Sequence, residues 1–203
     1  MVCVRLRIED VDPYNIILAA EIQFAKEVTL GVIYQQPPSA WRYLVPGMFI
    51  IDYLRRGTAI SRYSKHFMFP RKLALDAARS LLKGQEKSGI DACIEGDIEH
   101  WLNSLKLYSL ELIQVQKHAI DLLIDHYRKL QDAEGDSIFE LIENAYTSGE
   151  AYEAHVRELT SAEAEIDRVI IEKMENNEKL KEKLQLEARQ VEIGREKILE
   201  NIF

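Results

Sequence analysis

The sequence has little that would let it leave the cell, cross a membrane or perform familiar chemistry. Only two cysteines occur among its 203 residues, Cys3 and Cys93, too few and too far apart for a disulfide framework or a metal-spaced set. Its five prolines stop at Pro70, so nothing after that point breaks a helix by losing a backbone donor. The longest apolar run, Leu44 to Ile51, contains Pro46 and Gly47 and falls far short of the roughly 20 residues that span a bilayer. Arg5, Arg7, Glu9, Asp10 and Asp12 interrupt any apolar secretory core at the start. These absences predict a soluble, cytoplasmic chain with free thiols.

Catalytic signatures are missing too. There is no phosphate-cradling glycine loop, no dinucleotide fingerprint and no Gly-x-Ser-x-Gly elbow, and neither cysteine has a histidine beside it in sequence. The expectation is a protein that is not an enzyme, and no cofactor is implied. A bundle di-metal centre needs Glu-x-x-His on two helices, and the closest pattern is Asp97-x-x-His100, where the aspartate is explained as a helix cap. Glu111, Gln114, His118, Asp121 and Asp125 share one face of a predicted helix, but that face lies opposite its apolar seam and reads as solvated. A helical-bundle metalloprotein is therefore a distant alternative, with no metal ligands assigned.

What is present is helical periodicity. The chain predicts an all-α fold: a helical head over 1–84, a linker at 85–96, and a long antiparallel helical hairpin with a short intervening helix over 97–203. Residues 2–8 alternate Val2, Val4, Leu6 and Ile8 with Cys3, Arg5 and Arg7, which suits a short extended strand or arm. Asp12-Pro13 reads as an N-cap followed by proline at the first helical position. The helix after it buries Ile17, Leu18, Phe24, Ala25, Val28 and Val32, with Glu21 the one carboxylate on that face. Gly57 suits the cap of a helix over 48–56, Pro70 the start of a helix that Gly84 ends, and Asp136 the cap of a short helix before Gly149.

From Asp97, apolar residues at Ile98, Trp101, Leu105, Tyr108, Leu112, Val115, Ala119, Leu123, Tyr127 and Leu130 keep three- and four-residue steps. They predict one helix of about 36 residues, roughly 54 Å long, ended at Gly135. A second helix, from about Glu150 to the end, would be roughly 80 Å long, and its seam fits a coiled-coil-like stripe with a stutter. Residues beyond about 184 then outrun their partner. Val191, Ile198, Leu199, Ile202 and Phe203 would have to cover the head or another subunit, so they are the candidate self-association residues. A homo-oligomer, with a dimer favoured, and a protein-interaction role are the leading expectation.

Charge supplies the rival. The net charge of −8 divides into +1 over 1–100 and −9 over 101–203, with a local +6 over 42–79. Within that basic, aromatic strip, Trp41, Arg42, Arg55, Arg56, Arg62, Lys65, Arg71 and Lys72 are candidate ligand-binding residues. Arginines beside aromatic rings can hold an anionic small ligand, a nucleic acid or a lipid headgroup. The competing explanation is that the rings pack the head and the arginines pair with the acidic half. Converging arginines would support the ligand; divergent ones would not.

Overall fold

A computed structural model of the chain describes residues 12–34, 48–175 and 177–203, with backbone alone at 34, 48–56 and 59. The fold is all-α. Among the described residues there are seven helices and no strand: α1 (Pro13–Tyr34), α2 (Met48–Leu82), α3 (Lys87–Ser104), α4 (Leu110–Asp132), α5 (Ile138–Ala145), α6 (Gly149–Lys173) and α7 (Glu178–Ile202). The strand expected at residues 2–8 lies outside the described residues, as do Trp41 and Arg42. No described helix is long and apolar enough to cross a membrane.

Local chemistry starts several helices where the sequence signals it. The Asp12 carboxylate accepts from the backbone N–H of Tyr14 at 3.1 Å, beside Pro13 at the first helical position. Ser109, Ser148 and Asn177 each accept from the N–H three residues on. The short helix is capped by Ser137 rather than Asp136; Asp136 instead donates its N–H to the Glu140 carboxylate at 2.8 Å, closing a capping box.

Several boundaries differ from the periodic reading. The predicted 36-residue helix is two helices, because Lys106 adopts a left-handed φ of 59°. There Leu107 N–H bonds to Leu102 C=O and Lys106 N–H to Asn103 C=O, the paired bonds of a Schellman stop. Gly84 (φ 81°) makes the same stop after α2, as its sequence predicts. The 80 Å terminal helix is likewise interrupted, at Met174–Asn177, where Glu175 has φ 54°. Pro70, read as a start, sits inside the 35-residue α2, and Gly57 lies within the same helix. Residues 85–96, read as linker, are helical from Lys87 onward.

The break before α7 sends the chain back. Arg168 reaches Glu111 and Lys173 reaches the Tyr108 carbonyl at one end of α4 and α6, while His126 stacks near Tyr152 and His155 at the other, so these two helices form the expected antiparallel hairpin. α7 then runs antiparallel to α6, with Arg195 beside Thr160 and Glu163, and Phe203 against Gly149. It also lies along α1. A Cβ at Gly194 would come within 2.5 Å of the Phe24 ring, so the missing side chain sets this close approach. α1 and α2 are joined by Glu21–Arg71 and Asp12–Arg79 ion pairs and by Phe24–Phe67 ring contact.

Two apolar clusters result. The larger joins Ile17, Leu75, Ile98, Leu102, Leu112, Ile120, Tyr127, Leu130, Leu141 and Ile166, among others, and Ile198, Leu199 and Ile202 pack against it. The smaller gathers Ala25, Val28, Val32, Phe67 and Val191. The terminal apolar residues are therefore covered within one chain. Only Phe203, at 57% exposure, stays largely in solvent. The unpartnered stripe from which self-association was expected is not left open by this fold.

Candidate functional site

Among the described residues, the basic strip does not converge. Arg62 and Lys65 are exposed on α2, and Lys72 pairs with Asp76 at 2.5 Å and donates to Tyr14 Oη at 2.7 Å. Arg71 points the other way, into the molecule, and is only 6% exposed. Nine residues of helix turn through about 900°, which sets Arg62 and Arg71 on opposite faces. The side chains of Arg55 and Arg56 lie outside the described residues.

Arg71 instead anchors a buried polar network. Its Nε lies 3.1 Å from Glu21 Oε2 and its Nη2 3.2 Å from Glu163 Oε1, with the guanidinium 4.0 Å from the centre of the Phe67 ring. Burial opposes the charge, but Glu21 and Glu163 outweigh it and hold the guanidinium above its ordinary range. Tyr127, fully buried, donates to Glu21 Oε1 at 2.7 Å. Arg195 closes the other side: Nη1 lies 2.8 Å from Glu163 Oε2 and 2.8 Å from Thr160 Oγ1, and Nη2 lies 3.0 Å from Glu163 Oε1. Two buried arginines are thus matched by two carboxylates: Arg195 grips Glu163 through both Nη atoms, while Arg71 is divided between Glu21 and Glu163, uses of a planar fork that favour arginine over lysine.

Two more carboxylates stand beside this network without a cation. Glu187 on α7 accepts the Tyr63 hydroxyl hydrogen bond. Asp167, one turn after Glu163 on α6, has no hydrogen bond or ion pair among the described residues. Burial, then Glu187 and Glu163, push Asp167 up to about 7. Burial also raises Glu187, although the Tyr63 bond and Arg71 act against it.

Tyr63, Arg71, Glu163, Asp167, Glu187 and Arg195 line a cavity of 330 Å³ between α2, α4, α6 and α7, with Trp101 of α3 at its edge. Phe67, Ala119, Leu123, Leu159, Ile166 and Ile170 give it apolar walls. The volume lies at the lower end of ordinary ligand pockets. A few convergent polar groups on apolar walls is the usual composition of such a site. Pro70 and His66 also face it, and the Trp101 indole donates to His66 Nδ1 at 3.4 Å while stacking on Phe69 at 4.7 Å.

Sequence reasoning marked Glu21 and Arg71 singly, but missed Glu163, Asp167, Glu187 and Arg195. Glu163 and Arg195 do fall on the periodic seam of the terminal helix, as charged interruptions of an apolar stripe, while Asp167 and Glu187 fall off it.

Asp167 gives a pH-dependent expectation. Its folded value, about 7, lies above the ordinary 3.8, so the folded state holds this proton where the unfolded chain has lost it. The penalty is complete above about pH 7, declines as pH falls through the window, and vanishes below the ordinary value. Asp167→Asn should therefore stabilise the fold at pH 8 by about 1–2 kcal/mol after allowance for solvent screening. Urea unfolding at pH 8 and pH 4 checks this; a gain independent of pH would contradict the burial argument.

A second polar knot lies near by, around a small cavity of 80 Å³. His126 Nδ1 is 2.7 Å from Tyr146 Oη, the His126 and His155 rings stack at 4.8 Å, and His155 Nε2 is buried without a hydrogen-bond partner. Burial, then His155 and Lys129, push His126 well below the ordinary histidine range; burial, then Lys129 and Arg195, push His155 down to about 4. Both rings should stay neutral at pH 6, where an exposed histidine is largely protonated. Ring C–H shifts followed by NMR would show it, and titration near 6.5 would contradict the packing.

His118 is exposed, and Asp121 has its carboxyl raised by burial and by Asp91. Among the described residues, no group of three or more His, Cys, Asp or Glu side chains is placed to hold a metal ion. No protein-family model, curated protein or solved structure matches the chain.

Proposed function

We propose that this chain is a non-enzymatic, cytoplasmic binding protein whose site is the pocket between α2, α4, α6 and α7. The observation that carries the reading is the 330 Å³ cavity itself, apolar along its walls and polar where Arg71, Glu163, Asp167, Glu187 and Arg195 meet. A helical bundle that only had to be stable would close such a space, because each lost contact lowers its stability. The buried network of Arg71 and Arg195 holds one end of the pocket rigid, which lowers the ordering cost of binding. A reducing compartment suits the free, exposed thiol of Cys93.

The test is a titration with an uncharged, environment-sensitive dye of pocket size, such as prodan, against the full chain and Ala164→Trp. Ala164 lines the pocket yet is exposed on α6, so the larger ring can enter the cavity without disturbing the core. Saturable 1:1 binding that the variant abolishes supports the site. Binding unchanged by the substitution, or none at all, removes it.

A second reading retains protein interaction and self-association, a dimer favoured, at another surface. Tyr108, Leu110 and Met174 are 41%, 70% and 43% exposed at the end of the α4–α6 hairpin, where Lys173 Nζ lies 2.5 Å from the Tyr108 carbonyl. Exposed apolar side chains brought to one place favour association. Leu110→Glu should then lower the mass measured by light scattering; a monomeric parent protein would dismiss this reading.

A further inference from the structure

We infer that the ligand of this pocket is an organic cation, an apolar body carrying one ammonium group that sits between Asp167 and Glu187. The inference rests on the pocket reading and adds the sign of the charge. The sequence suggests the opposite, because its basic strip invites an anion. Placement of the side chains reverses that expectation.

The argument is one of charge complementarity. Of the basic groups that face the cavity, Arg71 is held by Glu21 and Glu163, and Arg195 by Glu163 and Thr160. An anion would have to displace those carboxylates and leave them buried without a partner, which is costly. Asp167 and Glu187 offer the reverse situation. They are carboxylates on the cavity wall that form no ion pair among the described residues, Arg71 attracting Glu187 only from beyond ion-pair distance, and Glu192 adds a third, exposed, at its edge. The Tyr63 hydroxyl donates to Glu187 and leaves other carboxylate lone pairs open. The rings of Tyr63, Phe67 and Trp101 line the same space, and aromatic faces attract cations.

Size narrows the class further. A space of 330 Å³ lies at the small end of ligand pockets and suits an arylalkyl or alkyl amine better than a protein helix or a nucleotide. The raised carboxyl of Asp167 fits such an occupant, since an ammonium would restore its ionised form. Affinity should consequently rise as pH increases through about 7. The other titratable and charged groups lining the cavity with Asp167 are Tyr63, His66 and Arg71 on α2, Glu163 on α6, and Glu187, Glu192 and Arg195 on α7; α4 presents Gln116, Ala119 and Leu123 there.

Isothermal titration of the full chain at pH 8 with 4-phenylbutylammonium, 4-phenyl-1-butanol and 4-phenylbutanoate would decide the matter. The three probes share a body and differ in charge. The ammonium should bind at least tenfold more tightly than the alcohol, and the carboxylate most weakly. Asp167→Asn and Glu187→Gln should each cost the ammonium at least fivefold more than they cost the alcohol, and both variants remove charge repulsion, so folding is not at risk. Equal binding of the alcohol, or preference for the carboxylate, overturns the cation while the pocket stands. If none of the three binds, or if Ala164→Trp leaves ammonium binding intact, the cation inference fails with the pocket.

Discussion

Arg71→Ala is expected to lower the stability of the fold by about 3–5 kcal/mol, the range for breaking a buried ion pair from one side. The reason is what remains. Arg195 still matches Glu163 at 2.8 Å, but Glu21, already supporting the Tyr127 hydroxyl, would keep its charge with no cation. The guanidinium also covers the Phe67 ring at 4.0 Å, so packing is lost along with charge. Urea unfolding at pH 7 measures the change. Adding Glu21→Gln to the alanine variant should return about 1–2 kcal/mol, because the orphaned charge is removed. If the double variant were no more stable than the single one, the coupling of Arg71 to Glu21 would be disproved. An Arg71 serving a surface basic strip would instead cost less than about 0.5 kcal/mol on truncation.

Val191→Asp carries the second large expectation, a loss of about 4 kcal/mol from burying an unpaired carboxylate. Val191 is 6% exposed and closes the small cluster of Ala25, Val28, Val32 and Phe67. This substitution separates the two roles open to the end of the chain. If α7 folds back on α1, the variant loses stability at any protein concentration. If the terminal helix ran straight and its stripe served another subunit, dilution would mimic the variant, and the monomer's stability would be unchanged. Phe203→Ala, at a position 57% exposed, should cost less than about 1 kcal/mol and serves as the control.

The contrast between Gly84 and Lys106 shows how far the sequence could be read. Both residues sit in the left-handed region and both end a helix with the same paired bonds. Glycine announces that conformation because it adopts it without a steric penalty; lysine does not, and its apolar neighbours continued the helical period unbroken. Glu175 hides the second break in the same way. Pro70 misleads in the other direction. Its missing donor argued for a boundary, yet Phe67 in the small cluster and Phe69 against Trp101 anchor the turn before it, and Ala74 and Leu75 in the large core anchor the turn after it.

The pocket was partly visible. Glu21 stood out as a carboxylate on an apolar face, and such a residue demands a buried partner. Nothing in the sequence named that partner: Arg71 looked like one more member of a basic strip, and Glu163 like one more charged interruption of an apolar stripe. The two are 92 residues apart. Arg195 falls on the periodic seam, but it and Glu187 belong to a helix whose direction depends on the unannounced turn at Glu175, so what they face was not legible.

By itself, the sequence determined the helical class, the apolar face of each main helix and the caps at Asp12 and Gly84. Those features depend on periodicity and on side chains that satisfy backbone groups a few residues away. Tertiary structure alone decided where α7 turns back, which of the charged residues face inward, and that the pocket closes on unmatched carboxylates rather than on arginines. A charge pairs or goes unpaired according to what packing brings within about 4 Å, and that neighbourhood is assembled from helices distant in the chain.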